Sequence, residues 1–225
     1  MKISMLSQKG GVGKTTLSIH LCHALSLKGF NPILIDSDPQ GSSLDWSLAR
    51  QGERLFPVVA LDRPIIHKEL PHLMRGYDFA VIDGAPRLSD LTRSAIMASD
   101  LIVIPVQPSP LDVWAIHEVI TLISEAQVYN DKLKAVFLVS RKIVNTAIAR
   151  DFLEVLVTYN IPILNSQIAQ RIVFAESLAS GSTVLEAAPF SQASKEIRQL
   201  CKEILTYAEE NTNHNQSVSD KAKAG

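Results

Sequence analysis

Ser7-Gln8-Lys9-Gly10-Gly11-Val12-Gly13-Lys14-Thr15-Thr16 follows an apolar run at 3–6 and opens a helical pattern over 17–27. A strand that feeds a glycine-rich turn into a helix N-terminus points several backbone N–H groups at one spot, where the helix dipole also favours an anion. Glycines at 10, 11 and 13 allow backbone angles and a close approach that side chains would block. Lys14 supplies a point charge and Thr15 a hydroxyl for Mg²⁺. The stretch therefore reads as a loop for a nucleoside triphosphate. Its binding candidates are Lys9, Gly10, Gly11, Val12, Gly13, Lys14, Thr15 and Thr16.

The common phosphate-loop pattern begins with a glycine that would fall at position 8, where this chain has Gln8. What stands here is Lys-Gly-Gly-x-Gly-Lys-Thr. Six fixed residues at ordinary frequencies recur by chance on the order of 10⁻⁷ per window. With its second lysine, Lys9, the loop resembles the deviant Walker A motif of the ParA/MinD family of ATPases. The resemblance implies that ATP-bound dimers form and that Lys9 reaches the partner's nucleotide.

Composition fits a globular enzyme: 225 residues, 46% hydrophobic, 20% charged, net charge -1. That balance points neither to a nucleic-acid-coating protein nor to an acidic tail. We expect one domain over 1–210 and a disordered polar tail over 211–225, rich in Asn, Ser, Lys and Ala. Cys22 and Cys201 both fall in helical apolar stripes, where they read as small buried hydrophobes of a reducing compartment. No apolar run reaches the 18 to 20 residues that span a bilayer, and the first residues enter a strand directly. The expectation is a cytoplasmic protein.

Short β-rich apolar runs alternate with longer helical segments, which is the pattern of an α/β fold with a mostly parallel sheet of about seven or eight strands and helices on both faces. Candidate strands are 3–6, 32–36, 58–61, 79–83, 101–105, 135–139 and 161–164. The clearest helices are 15–28, closed by Gly29, then 112–127 and 192–210.

Ligands in such sheets bind at the carboxyl ends of the strands. The second strand ends in Asp36-Ser37-Asp38-Pro39-Gln40-Gly41, the fourth in Ile82-Asp83-Gly84-Ala85-Pro86 and the fifth in Pro105-Val106-Gln107-Pro108-Ser109-Pro110. All three are expected to converge on the loop. An aspartate closing an apolar strand in a phosphate-loop protein is the Walker B arrangement, and Asp83 fits it. Such an aspartate also caps helices and forms turns, and Ser37-Asp38-Pro39 also reads as a turn before a helix from Ser42.

Asp-x-Asp-Pro-Gln resembles the first switch of ParA-type ATPases. The resemblance implies that Asp38 orients or activates the attacking water and that Asp36 and Asp83, with Thr15, serve Mg²⁺; Lys9, Lys14 and Asp38 are then the catalytic candidates. It covers nearly the whole chain to about residue 209, including Pro108-Ser109-Pro110-Leu111-Asp112 and the region of Ile168 and Arg171, and is nearest to the short, ParF-like ParA proteins that begin at the Walker loop. In that group ATP promotes dimers or larger assemblies that bind DNA without sequence preference, and a small ParB/ParG-like centromere-binding protein stimulates hydrolysis. The implied role is DNA partition with slow intrinsic turnover, on the nucleoid and away from any membrane.

The family often ends its sixth strand with an asparagine that reads adenine; here the chain has Val139-Ser140-Arg141-Lys142. Ser140 could bond a base edge and Arg141 could stack. For DNA, Lys132, Lys134, Arg141, Lys142 and Arg150 lie in a run without acids, and Arg171, Lys195, Arg198 and Lys202 follow, diluted by Glu196 and Glu203. Arg171, Lys142 and Arg150 are the DNA candidates. Two rivals are a MinD-like membrane-associated ATPase and a metabolic phosphate-loop enzyme. Against the first, 194–208 has apolar residues at helical spacing that suit packing on its own domain. Against one form of the second, the cysteines lie in helices and not at strand ends where an iron–sulfur cluster would need them.

Overall fold

The computed structural model describes residues 1–86, 89–108, 112–142 and 147–223, with side chains described throughout these except 112–115, 147–151 and 210–223. In chain order the elements are β1 (Lys2–Met5), α1 (Lys14–Leu27), β2 (Pro32–Asp36), α2 (Ser42–Ala49), β3 (Val58–Ala60), α3 (Ile66–Leu73), β4 (Phe79–Asp83) and α4 (Asp90–Ala98). Then follow β5 (Leu101–Val106), α5 (Asp112–Gln127), β6 (Lys134–Lys142), α6 (Ala147–Val157), β7 (Ile163–Ala169), α7 (Ile172–Ala179), α8 (Val184–Ala187) and α9 (Gln192–Lys223).

Seven parallel strands form one sheet in the order β3-β2-β4-β1-β5-β6-β7. Every strand expected from the apolar runs is present, and β2 and β4 have the expected bounds. The central strands are apolar on both faces because helices cover both. Leu34, Val81, Val103 and Val136 pack with α1, α8 and α9, while their neighbours Ile33, Ile82, Ile102 and Phe137 pack with α3, α4 and α5. Each such side chain, removed from water, contributes about 1.5–3 kcal/mol.

β6 and β7 run on past their apolar runs. β7 continues to Ala169 through Asn165, Ser166 and Gln167 because, at the sheet edge, its alternate positions face outward. β6 continues through Ser140, Arg141 and Lys142. At the other end of the chain, α9 extends to Lys223, where the sequence reading ends the helix at residue 210 and expects disorder. No Gly or Pro falls between 192 and 223 to stop it. Ile197, Leu200, Cys201 and Ile204 of α9 are fully buried beside α1 and the sheet, so this apolar stripe is spent on its own domain, and Cys22 is buried in the same cluster.

Register sets up the functional end. Met5 of β1 lies opposite Asp83 of β4, and Asp83 lies opposite Asp36 of β2. Both aspartates therefore sit level with the last residue of the strand that feeds the glycine-rich loop.

Candidate functional site

The loop runs from Ser7 to Gly13 and ends where Gly13 caps α1 in the left-handed conformation, φ 96, with no side-chain cap on the first helical turn. Glycine holds that angle without steric cost, and the turn's amides are left to a ligand. Lys14 is buried, and its ammonium donates back to the carbonyl of Lys9 at 3.4 Å. Burial lowers its pKa, opposed by the charges of Asp83 and Asp38. Lys9 is half-buried on the outer turn of the loop, so one short segment carries one lysine inside and another toward its edge.

Asp83 is fully buried. Ser43 donates its hydroxyl to Asp83 Oδ2 at 2.8 Å, the Thr15 hydroxyl lies close to the carboxylate, and Oδ1 has no partner. Burial pushes the carboxyl up to about 7, and the two hydroxyls only partly offset that. An orphaned carboxyl oxygen next to a threonine hydroxyl under a glycine-rich loop is a donor set that suits a hard divalent cation. Among the described residues no group of three or more His, Cys, Asp or Glu could hold a metal by itself. That accords with Mg²⁺, which keeps waters and phosphate oxygens and takes few protein ligands.

Asp36 is buried and commits both oxygens to backbone: Oδ1 accepts from the N–H of Asp38 at 3.2 Å and Oδ2 from that of Leu44 at 2.9 Å. Burial raises its pKa, opposed by these donors. Its carboxylate thus shapes the loop after β2 and satisfies an orphan amide in the first turn of α2. Ser37 fastens the same loop to β4 by donating both N–H and hydroxyl to the Asp83 carbonyl, at 3.1 and 2.7 Å. Asp38 lies beyond, half-buried, accepting the Gln40 N–H at 3.0 Å.

A cleft of about 1040 Å³ gathers these parts. One wall is residues 10–17 with Asp38 and Ser42; the other is Ser140, Arg141, Lys142, Arg171 and the apolar Ile168, Ile172, Phe174 and Leu178. The structure thus brings together the loop, Thr15 and Asp38, with Asp83 and Asp36 directly behind them. It also puts two of the DNA candidates here. Lys142 donates to Gln167 Oε1 at 2.6 Å, and Arg171 pairs with Glu196 at 2.8 Å, so both line the cleft and both are engaged within the chain. The side chain of Arg150 lies outside the described residues. Residues 109–111 of the loop after β5 also lie outside them, while Gln8 Nε2 reaches Glu118 of α5 at 2.7 Å.

Sequence reasoning missed Ser37 and Ser43, and it offered Ser140 to a base edge where the structure gives it to the loop. Ser37 lies between two aspartates and Ser43 in the first turn of α2, where a serine reads as turn or cap chemistry. Ser140 is buried and donates its hydroxyl to the Val12 carbonyl at 2.6 Å, and Arg141 donates to the Gly11 carbonyl, so both side chains serve the phosphate loop.

Residues 3–184 match the model of the CobQ/CobB/MinD/ParA nucleotide binding domain. The chain is 30% identical over 208 residues to the maintenance of carboxysome distribution protein A of Halothiobacillus neapolitanus, covering 90% of this chain and 95% of that one. It is 26% identical over 241 residues to the chromosome-partitioning ATPase Soj of Thermus thermophilus, covering 93% and 97%. Its fold matches cobyrinic acid a,c-diamide synthase of Mycobacterium smegmatis, solved with an ATP analog and magnesium, with a TM-score of 0.75 at 20% identity, covering 93% of this chain and 96% of that one. With the loop, the two aspartates and the parallel sheet in place, the chain belongs to the CobQ/CobB/MinD/ParA family of nucleotide-binding domains.

Proposed function

We propose that the protein is a ParA-type ATPase for DNA partition: it binds ATP with Mg²⁺, dimerises, holds DNA without sequence preference, and is reset by hydrolysis that a small centromere-binding partner stimulates. The observation that carries the reading is the two-lysine loop, with Lys14 folded onto the Lys9 carbonyl inside a cleft that Asp38 also lines. Lys14 and the amides of residues 10–16 take the phosphates. Thr15 and Asp83, with Asp36 behind them, hold the cation's side of the site, and Mg²⁺ when bound screens the triphosphate charge. Asp38 orients the attacking water, and Lys9 reaches across to the nucleotide of the second subunit. The apolar wall of Ile168, Ile172 and Leu178 suits the flat face of a base. Movement of the loop after β2 reports loss of the γ-phosphate to the dimer face. Turnover is slow because the site is complete only in the assembly.

A second reading is favoured by the 30% identical relative named for carboxysome distribution: the same cycle with a protein body, not DNA, as cargo. Deleting the gene separates them, by plasmid or chromosome loss under the first reading and clumped protein bodies under the second. A membrane role has less support, since no described helix is long and apolar enough to cross a bilayer and the apolar stripe of α9 is buried. The direct test is the mass of the Asp38→Ala protein in solution with ATP and Mg²⁺ against ADP. A dimer with ATP alone is expected; a monomer in both removes the proposal.

A further inference from the structure

The end of β6 carries two consecutive side chains that hold two consecutive carbonyls of the phosphate loop. Ser140 is buried and donates to the carbonyl of Val12 at 2.6 Å, and Arg141 donates through Nη1 to that of Gly11. These contacts join positions about 130 residues apart, on a strand that is not a neighbour of β1 in the sheet. Arg141 adopts φ 50, the left-handed region that a side-chained residue seldom occupies. Strained backbone of this kind persists where the surroundings over-determine it, and here the guanidinium end of the residue meets the loop.

In a trans peptide the C=O and the next N–H point in opposite directions. A donor fixed on the Gly11 carbonyl therefore sets the direction of the Val12 N–H, and a donor fixed on the Val12 carbonyl sets that of the Gly13 N–H. A carbonyl that accepts a hydrogen bond also polarises its peptide and strengthens the paired N–H as a donor. Val12 and Gly13 both line the cleft.

We propose that Ser140 and Arg141 are positioning residues for nucleotide binding, which aim and strengthen the Val12 and Gly13 amides by clasping the loop from β6. The proposal rests on the reading of the loop as a phosphate site.

Three variants test it: Ser140→Ala, Arg141→Gly and Arg141→Asn, each measured for thermal melting without nucleotide and for ADP affinity. Glycine and asparagine take the left-handed angle more readily than arginine but cannot reach the Gly11 carbonyl. Arg141→Gly and Arg141→Asn are expected to melt close to the unmodified protein yet bind ADP about tenfold more weakly, with Ser140→Ala weaker by about fivefold. Amide exchange at Val12 and Gly13 should quicken in all three. Affinity within about twofold of the unmodified protein for both arginine variants overturns the proposal. So does failure of both to fold, which makes Arg141 a folding residue. If the unmodified protein does not bind ADP at all, the reading of the loop fails instead.

Discussion

The hydroxyl of Ser43 sits 2.8 Å from Asp83 Oδ2, while Asp83 Oδ1 is buried with no partner. This carboxylate is held at an energetic disadvantage. Its pKa is pushed up to about 7, so on the alkaline side of that value the fold carries a buried charge costing on the order of 4 kcal/mol relative to an ordinary carboxylate. Asp83→Asn removes the charge and keeps an oxygen for the Ser43 and Thr15 hydroxyls. Melting at pH 8 without nucleotide should show a gain of roughly 2 kcal/mol, together with loss of any Mg²⁺ effect on ADP affinity. A lower melting temperature with the Mg²⁺ effect intact would argue that Asp83 is structural.

His20 and His23 tie the helix that follows the loop to the turn before α8. His20 Nδ1 meets the Thr16 carbonyl at 2.6 Å and its Nε2 accepts the Val184 N–H at 3.0 Å, which fixes the neutral tautomer. His23 Nδ1 lies 2.6 Å from the Thr183 hydroxyl. Burial lowers both to about 4 from 6.5. The unfolded chain therefore takes up protons first, so stability is full above pH 6.5 and falls as pH drops toward about 4. Between pH 7 and 5 each histidine should forfeit about 2 kcal/mol. Denaturant unfolding at the two pH values checks this in the Asp83→Asn background, since the raised Asp83 carboxyl gains stability of similar size as pH falls over the same range; there His23→Gln should halve the difference.

Gly181 sits at φ 65 with room for no side chain: an added Cβ would lie 2.4 Å from the backbone N and Cα of Arg50. That contact locks α2, and with it the loop after β2, against the turn between α7 and α8, where Trp46 Nε1 also donates to the Ser182 carbonyl at 2.9 Å and Arg50 grips Glu186. Backbone cannot yield as a flexible side chain does. Gly181→Ala should cost about 3 kcal/mol by denaturant unfolding, several times the loss from Gly52→Ala, where the added carbon meets only the movable end of Arg50.

The two loop lysines should separate cleanly. Lys14→Ala removes the buried ammonium and should weaken ADP binding by about a hundredfold, read by titration. Lys9→Ala leaves the Lys9 carbonyl, on which Lys14 rests, and should leave ADP binding within about threefold while abolishing the ATP-dependent dimer. Equal losses of ADP affinity in both would assign Lys9 to its own nucleotide.

What was legible in the sequence followed physical simplicity. The inner strands are buried on both faces, so runs such as Pro32–Asp36 and Phe79–Asp83 announce themselves without ambiguity. The loop was legible because phosphate binding demands glycines and lysine at fixed spacing. β7 was harder, since an edge strand that alternates outward through Asn165 and Gln167 resembles a loop. Ser140 and Arg141 read as candidates for a base, and their hold on the loop, like the roles of Ser37 and Ser43, was illegible because the partners are backbone carbonyls and carboxylates distant in sequence, and a donor to a distant carbonyl leaves no local pattern. The charge of Lys142 and Arg171 was visible, but not that the ends of β6 and β7 turn it onto the cleft beside the glycine-rich loop.

Retention on random-sequence duplex DNA at one fixed salt concentration, with ATP, ADP or no nucleotide, tests the central claim most directly; salt is fixed because phosphate contacts depend on it. The unmodified protein should be retained only with ATP and Mg²⁺, Lys9→Ala should not be retained under any condition, and Asp38→Ala should stay bound for longer than the unmodified protein. Absence of retention for the unmodified protein under every condition would contradict the DNA-partition reading.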